Sequence, residues 1–448
     1  MTTTPPRTNG ESTIATTLEP VLHGLLGPNL PIGVRAWDGS RLGPPDPAVT
    51  VVIHSPNALR RMLWAPGELG LARAHVAGDL DIEGDIFGLL GVRDAVAAPN
   101  EDFEVKFTPK GLRSLAKAAK TLGVLGLPLP PPAEEARHHG RLHSRGRDAA
   151  SVSHHYDVGN DFYRLVLGPS WTYSCGYWPT AGTTLEEAQA AKYELVCRKL
   201  GLEPGMRLLD VGCGWGSMAI HAAQQHGVSV VGVTVSHEQQ RKAQERVAEL
   251  GLEDQVEIRL QDYRDIPDGP FDAISSIGMF EHVGLERMRE YLNTLYGLLT
   301  PTGRLLNHAI SRPEPSSKPA ISPRSFIGRY VFPDAALMEV GTVVTAMQAV
   351  GFEVRDVQSL REHYARTLRA WVTNLEGAWD QAQRLAGPGR ARVWRLYLAG
   401  SAIGFEQNRT SIHQVLAVRT PPDGYAHMAP TRAGVDVTRP VEGVRWIR

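Results

Sequence analysis

From about residue 150 onward, short apolar runs alternate along this chain with stretches whose apolar residues recur at helical spacing. The runs at 208–211, 228–233, 256–260, 273–276 and 304–306 are strand-length, and 185–200 is a helix that leads through Pro204 and Gly205 into the first of them. Such alternation predicts an α/β domain with a doubly wound, mainly parallel sheet. The preceding segment reads differently. Residues 17–103 mix short apolar runs, such as 49–53, with proline and glycine punctuation, which predicts a smaller N-terminal α/β domain. No internal repeat is visible.

Between these two regions, basic residues outnumber acidic ones. Leu112, Leu115, Ala119 and Leu122 form one helical stripe, with Arg113, Lys117 and Lys120 off it. A basic amphipathic helix suits an anionic lipid surface, but the same pattern fits a solvated interdomain helix packed on one side. Leu127-Pro-Leu-Pro-Pro-Pro132 reads as a stiff extended spacer, followed by a polar, His/Arg-rich stretch up to His154. The expected division is a disordered tail at 1–16, an N-terminal domain at 17–103, a basic helix and proline-rich linker at 104–150, a larger α/β domain at 151–420 and a C-terminal tail at 421–448.

Composition narrows the function. The chain has 448 residues, 42% of them hydrophobic, and a formal net charge of −1, so bulk electrostatics gives no general attraction to nucleic acid. No run of about 18 apolar residues occurs, and the first residues lack the apolar core of a secretory signal, so a cytoplasmic location is expected. The three cysteines, Cys175, Cys197 and Cys213, show no Cys-x-x-Cys spacing; neither a metal site nor a disulfide framework is expected.

The chemistry begins at Leu208-Leu-Asp-Val-Gly-Cys-Gly-Trp-Gly216, where a strand runs through Asp210 into three closely spaced glycines. A turn this tight needs residues without a Cβ, and it brings backbone N–H groups close to a ligand. The third glycine comes one residue too early for Gly-x-Gly-x-x-Gly. The second strand ends at Thr234, with Gln239 beyond, instead of the acid that a nicotinamide ribose requires. A dinucleotide is therefore disfavoured, and S-adenosylmethionine is favoured. After the third strand, Asp262 could accept from an adenine amino group with Tyr263 beside the ring; the plain alternative for Asp262 is a cap or turn residue. Glu281 and His308 follow the fourth and fifth strands at the carboxyl rim, where ligands of open parallel sheets sit. The adjacent Glu281-His282 pair is weak support for a metal.

These residues belong to a larger set of motifs: His155-Tyr-Asp-Val-Gly-Asn-Asp-Phe-Tyr163, Thr172-Tyr-Ser-Cys-Gly-Tyr-Trp178, Asp210-Val-Gly-Cys-Gly-Trp-Gly216, Gly278-Met-Phe-Glu-His-Val-Gly284, Tyr330-Val-Phe-Pro333 and His363-Tyr-Ala-Arg-Thr-Leu-Arg-Ala-Trp371. In this order they resemble the cyclopropane-fatty-acyl-phospholipid synthases and their mycolic-acid cyclopropane synthase relatives, from His154 to the C-terminus. The resemblance implies a Rossmann-like class I methyltransferase fold for 151–420 and a lipid-associated N-terminal domain at 17–103. It also implies a cofactor shell of Tyr173, Ser174, Gly212, Gly214, Thr234, Gln239, Asp262, Tyr263 and Ile277, to which Asp210 is added, and a bicarbonate pocket at Cys175, Glu281, His308, Ile310 and Tyr364.

The implied reaction is methyl transfer to the double bond of an oleoyl-type phospholipid acyl chain. A carbocation results, with aromatic faces such as Tyr173 or Tyr177 beside it, and its deprotonation gives a cyclopropane or a 10-methylene chain. A downstream flavin- or NADPH-dependent reductase would turn the latter into a methyl branch, as in the tuberculostearic-acid route. Docking at the inner face of the membrane and a homodimer are further implications. A small-molecule O- or N-methyltransferase on the same fold is the competing reading; it would need one general base and no bicarbonate pocket. Cys175 is expected to make a polar contact and not to act as a nucleophile.

Overall fold

A computed structural model of the chain describes residues 13–26, 30–96, 109–136, 158–313, 321–322, 325–332 and 337–446. The N-terminal part of the expected tail, the His/Arg-rich stretch, His155 to Asp157 of the first motif and Pro333 lie outside these residues. The chain divides into two compact units.

The larger unit is built on a seven-stranded sheet in the order β10-β11-β9-β8-β5-β6-β7. Its strands are β5 (Arg207–Val211), β6 (Ser229–Thr234), β7 (Val256–Leu260), β8 (Phe271–Ile277), β9 (Leu299–Ser311), β10 (Phe352–Ser359) and β11 (Ser411–Arg419). Strands β5 to β9 run parallel, and β11 lies antiparallel between β9 and β10. The chain builds outward from β5 to β6 and β7, then returns to β8 on the other side of β5. That reversal opens a crevice at the carboxyl ends of β5 and β8, the usual ligand position in such sheets. The long apolar β9 exceeds its expected 304–306 core because pairing with β11 continues through Asn307 and His308 to Ser311. Strands β10 and β11 were not legible as strands from periodicity.

The helix Leu185–Leu200 starts at a reciprocal cap: Glu187 N–H donates to Thr184 Oγ1 at 3.3 Å, and Thr184 N–H donates to Glu187 Oε2 at 2.8 Å. It ends at Gly201 in the left-handed region. Ala191 and Leu195 of this helix also pack against Val437, and Arg198 Nη1 donates to the Asp436 carbonyl at 2.9 Å. Residues 421–448, expected to form a tail, are thus partly packed into this unit.

The smaller unit has a four-stranded sheet, β2-β1-β3-β4, formed by β1 (Gly33–Arg35), β2 (Arg41–Leu42), β3 (Val49–Ile53) and β4 (Leu80–Gly84). It comprises described residues up to Ala136 together with those in Arg324–Tyr330 and Gly387–Gly400. The structure corrects the expected boundary at 103/104. The basic helix, Pro109–Thr121, packs Leu115 and Ala118 into the core of this unit beside Leu18, Ile53 and Leu59. The proline-rich spacer is strapped to the same unit: Trp64 Nε1 donates to Gly126 O at 2.8 Å, Arg60 Nε to Leu127 O at 2.6 Å and Arg61 Nη1 to Pro130 O at 2.9 Å. Arg73 then grips Glu135 with two bonds of 2.8 Å.

Because Leu115 is fully buried, Leu115→Ala should lower the stability of the N-terminal unit by about 2–5 kcal/mol. Lys117→Ala, on the exposed side of the same helix, should cost no more than about 0.5 kcal/mol. Urea denaturation of the full chain distinguishes the two; equal small effects would place the helix outside the core.

Candidate active site

A cavity of about 170 Å³ opens at the carboxyl ends of β5, β6, β7 and β8. All ten expected cofactor positions line it: Tyr173 and Ser174 from the loop before the capped helix, Asp210, Gly212 and Gly214 from the glycine turn, Thr234 and Gln239 after β6, Asp262 and Tyr263 after β7, and Ile277 at the end of β8. Gly212, Gly214 and Gly216 have φ of +76°, +55° and +79°, which side-chain-bearing residues rarely adopt. The N–H groups of Gly212 and Cys213 both donate to the Val233 carbonyl at 3.0 Å, which fastens the turn to the end of β6.

Polar groups in this wall are held in place. Thr234 Oγ1 donates to Gln239 Oε1 at 2.9 Å. Asp262 caps a short 3₁₀ turn by accepting from Arg264 N–H at 3.0 Å, and it pairs with the Arg264 guanidinium at 2.6–2.8 Å. The plain capping role is therefore present in a residue that also faces the cavity. Asp210 Oδ1 accepts from Ser275 Oγ at 2.7 Å, whereas Oδ2 is buried with no hydrogen-bond partner. Burial pushes the Asp210 carboxyl up to about 6, against the opposing pull of its hydrogen bond and of Lys192.

None of the five expected catalytic positions lines this cavity, yet the structure ties them to its wall. Glu281 follows Met279 and precedes His282, both of which line it. Strand β8 ends at Ile277, opposite His308, so β9 extends past it and Ile310 N–H has no β8 partner; this N–H donates to Glu281 Oε1 at 2.7 Å. Glu281 Oε2 is buried with no hydrogen-bond partner, and burial pushes the carboxyl up to about 7. His308 shares a strand face with Ile310. Its Nδ1 lies 3.2 Å from Gln414 Nε2; with that amide nitrogen as the donor, the ring proton sits on Nε2, a buried nitrogen with no protein partner. Burial holds the ring neutral by pushing its pKa well below the usual value.

Cys175 and Tyr364 meet at one carbonyl. Cys175 Sγ–H donates to Gly176 O at 3.1 Å and Leu360 O at 3.7 Å, and Tyr364 N–H donates to the same Leu360 O at 3.0 Å. Leu360 N–H in turn donates to Ile412 O, and Ile412 is the cross-strand partner of Ile310. Burial pushes the Cys175 thiol up, so the sulfur is a protonated donor. An aromatic run connects Tyr364 to Trp371 (6.0 Å between centroids), Trp371 to Tyr173 (5.4 Å), Tyr173 to Tyr163 (5.8 Å) and Tyr163 to Trp215 (4.8 Å). Tyr177 is elsewhere. Its ring stacks on His363 at 4.8 Å and packs against the Ala191, Leu195 and Val437 cluster, so of the two only Tyr173 lines the cavity.

Two residues were absent from the sequence reading. Lys192 is fully buried, donates to Ser174 Oγ at 3.0 Å, and burial lowers its pKa well below the ordinary value. Arg246, also buried, donates to the Trp215 carbonyl and to Ser217 Oγ, fixing the glycine turn from behind. Nothing in the sequence around either helix charge signals burial; only the tertiary packing shows it.

The sequence profile of mycolic acid cyclopropane synthetases matches residues 143–415. The chain belongs to this family. A protein of Mycobacterium tuberculosis named "Probable fatty acid methyltransferase" is 42% identical over 88% of this chain and 92% of its own length. The tuberculostearic acid methyltransferase UfaA1 of the same organism is 32% identical over 88% of this chain and 89% of its own. Mycolic acid cyclopropane synthase CmaA1, solved with SAH and CTAB, superposes with a TM-score of 0.57 at 36% identity, covering 60% of this chain and 98% of that one. The fold of the larger unit is that of the class I methyltransferases, and the enzyme is an S-adenosylmethionine-dependent C-methyltransferase of the cyclopropane synthase family.

The Glu281 carboxyl has a stability consequence. Its pKa is higher folded than unfolded, so the native state retains the proton more strongly between about pH 4.5 and 7. Its contribution to stability is greatest below 4.5, falls through that window and levels off above 7. Glu281→Gln should therefore stabilise the protein at pH 8, by an amount on the order of 2–3 kcal/mol, and match the wild type near pH 4.5. Thermal melts of both proteins across this range, in bicarbonate-free buffer, check the sign.

Proposed function

We propose that this enzyme transfers the sulfonium methyl of S-adenosylmethionine to the double bond of an oleoyl-type acyl chain carried on a phospholipid. The methyl–sulfur bond breaks as a carbon–carbon bond forms with one alkene carbon, S-adenosylhomocysteine leaves, and the neighbouring carbon becomes cationic. Loss of a proton from the transferred methyl with ring closure gives a cyclopropane. Loss after a 1,2-hydride shift gives a 10-methylene chain, which requires a flavin- or NADPH-dependent reductase to become a methyl branch. The tuberculostearic acid methyltransferase among the relatives that span both units supports keeping the second product in view.

The observation that carries this reading is the pair of buried, partnerless polar atoms, Glu281 Oε2 and the His308 Nε2–H, flanking the Ile310 segment. An acceptor or proton-bearing carboxyl and a neutral donor suit a small, protonatable oxyanion such as bicarbonate. Bound there, bicarbonate supplies a weak base and a negative charge near the cation. Glu281 holds Ile310 N–H with one oxygen and orients the anion with the other, so the Ile310 N–H acts through Glu281. Neutral His308 donates without competing for the proton. The thiol of Cys175 remains a donor, and the Tyr173–Trp371–Tyr364 rings give a dry wall whose π faces favour positive charge.

Substrate access is part of the same proposal. The helix Pro109–Thr121 exposes Arg113, Lys117 and Lys120, and the same unit exposes Trp64, Leu125 and Leu127, the last at 78%. Exposed cations with exposed apolar side chains suit docking at the inner membrane face.

Incubation with dioleoyl phosphatidylglycerol vesicles and S-adenosylmethionine should yield fatty esters heavier by one CH₂, and Glu281→Gln should reduce turnover at least about a hundredfold with little change in S-adenosylhomocysteine affinity. Ozonolysis cleaves the methylene product and spares the cyclopropane. No mass change in the lipid would refute the reading. Changing Arg113, Lys117 and Lys120 together to Gln should weaken binding to anionic vesicles by about a hundredfold at low salt, at roughly 1 kcal/mol per charge, and much less at high salt; a salt-independent, unchanged affinity would reject this docking face.

A further inference from the structure

A cluster of ligand-type side chains outside the cavity has no role in the proposed reaction. Within the larger unit, the helix Leu185–Leu200 packs beside Ser217–His226. Glu194 and Cys197 lie three residues apart on one face of the first helix, and His221 and His226 come from the second. The Cys197 sulfur and one nitrogen from each imidazole lie within 4.8 Å of one another. Glu194 Oε2 is 3.0 Å from His226 Nε2 and 3.5 Å from His221 Nε2.

His221 is the decisive residue. Its side chain is 1% exposed; Nε2 faces only the Glu194 carboxylate, at 3.5 Å, and Nδ1 makes no hydrogen bond. A buried imidazole with one nitrogen unpartnered and the other at a long distance from its carboxylate, set in a group of thiol and imidazole ligands, is costly unless something else occupies the site. Cys197 is likewise buried.

We propose that Cys197, His221 and His226 bind a zinc-class transition metal ion, with the Glu194 carboxylate as fourth ligand. One thiolate, two imidazoles and one carboxylate form a tetrahedral donor set that suits Zn²⁺ and disfavours Ca²⁺ or Mg²⁺, which seek oxygen-only shells. Zinc-to-ligand bonds of about 2.0–2.3 Å place ligand atoms closer together than the widest spacing here, so binding draws the side chains inward by small rotamer changes. On binding, the Cys197 thiol gives its proton to solvent and becomes thiolate.

The ion would staple two helices that both border the active site: Tyr193 of the first and Ser217 of the second line the cavity. Its role is structural, since Cys197 and His221 are not lining residues. The missing Cys-x-x-Cys signal is explained by the ligands coming from two helices, with only Glu194 and Cys197 at a local spacing.

The test uses the tag-free, full-length protein stripped with EDTA and titrated with Co²⁺ and with Zn²⁺. One equivalent of Co²⁺ should produce a thiolate-to-cobalt charge-transfer band and tetrahedral d–d absorption, and saturating Zn²⁺ should raise Tm by a few °C. Cys197→Ser should abolish the charge-transfer band, and His221→Gln should weaken Zn²⁺ binding at least about tenfold. Either variant could fail to fold, so the wild type alone is also decisive. Folded wild-type protein that gives no thiolate band with excess Co²⁺ overturns the proposal, as does a band of equal strength in folded Cys197→Ser.

Discussion

The hydrogen bond from Ile310 N–H to Glu281 Oε1 is the constraint around which this site is organised. It exists because β9 continues beyond the end of β8, leaving a backbone donor at the sheet rim that must be satisfied. A carboxylate fills that role, and the same bond fixes where its second oxygen points. A serine or an amide could satisfy the N–H as well, but neither offers a group whose proton is balanced near neutrality. Burial supplies the balance, and the bond to Ile310 pulls only partly against it.

The surroundings extend that arrangement. Through Ile412 and Leu360, the strand that carries Ile310 is linked to Cys175 and Tyr364, so residues separated by nearly two hundred positions hold one rim. Several polar atoms there lack partners: Asp210 Oδ2, Glu281 Oε2, His308 Nε2 and Gln189 Oε1. Folded proteins tolerate few such groups, and each one costs stability unless a ligand or water satisfies it.

What the chain revealed in advance follows a physical division. The glycine turn and the polar groups after β6 and β7 were legible because loops at strand ends are specified locally and face the cavity, whereas Glu281 after β8 turns away from the cavity lining to Ile310 N–H, a contact that only the tertiary structure shows. Lys192 and Arg246 were not legible, because burial of a helix charge depends on neighbours remote in sequence. Strands β10 and β11 were missed for a related reason: β10 alternates weakly as an edge, and Gln414 interrupts β11 with an amide that makes sense only opposite His308. The helix Pro109–Thr121 was recognised as amphipathic, but an apolar stripe does not say what covers it. Only the packing of Leu115 decided that it belongs to the N-terminal core. The motif-based resemblance added roles that periodicity could not give.

The smaller unit is discontinuous in sequence, drawing Arg324–Tyr330 and Gly387–Gly400 from within the methyltransferase region. Arg392 and Arg395 in the last of these segments bind Asp81 and the carbonyls of Ile82 and Gly84 on β4. A gene cut at the apparent linker would therefore sever a sheet edge from the arginines that complete it. Excising the catalytic half as an independent fragment calls for grafting away these two insertions, and swapping N-terminal halves between relatives calls for exchanging three stretches of chain together.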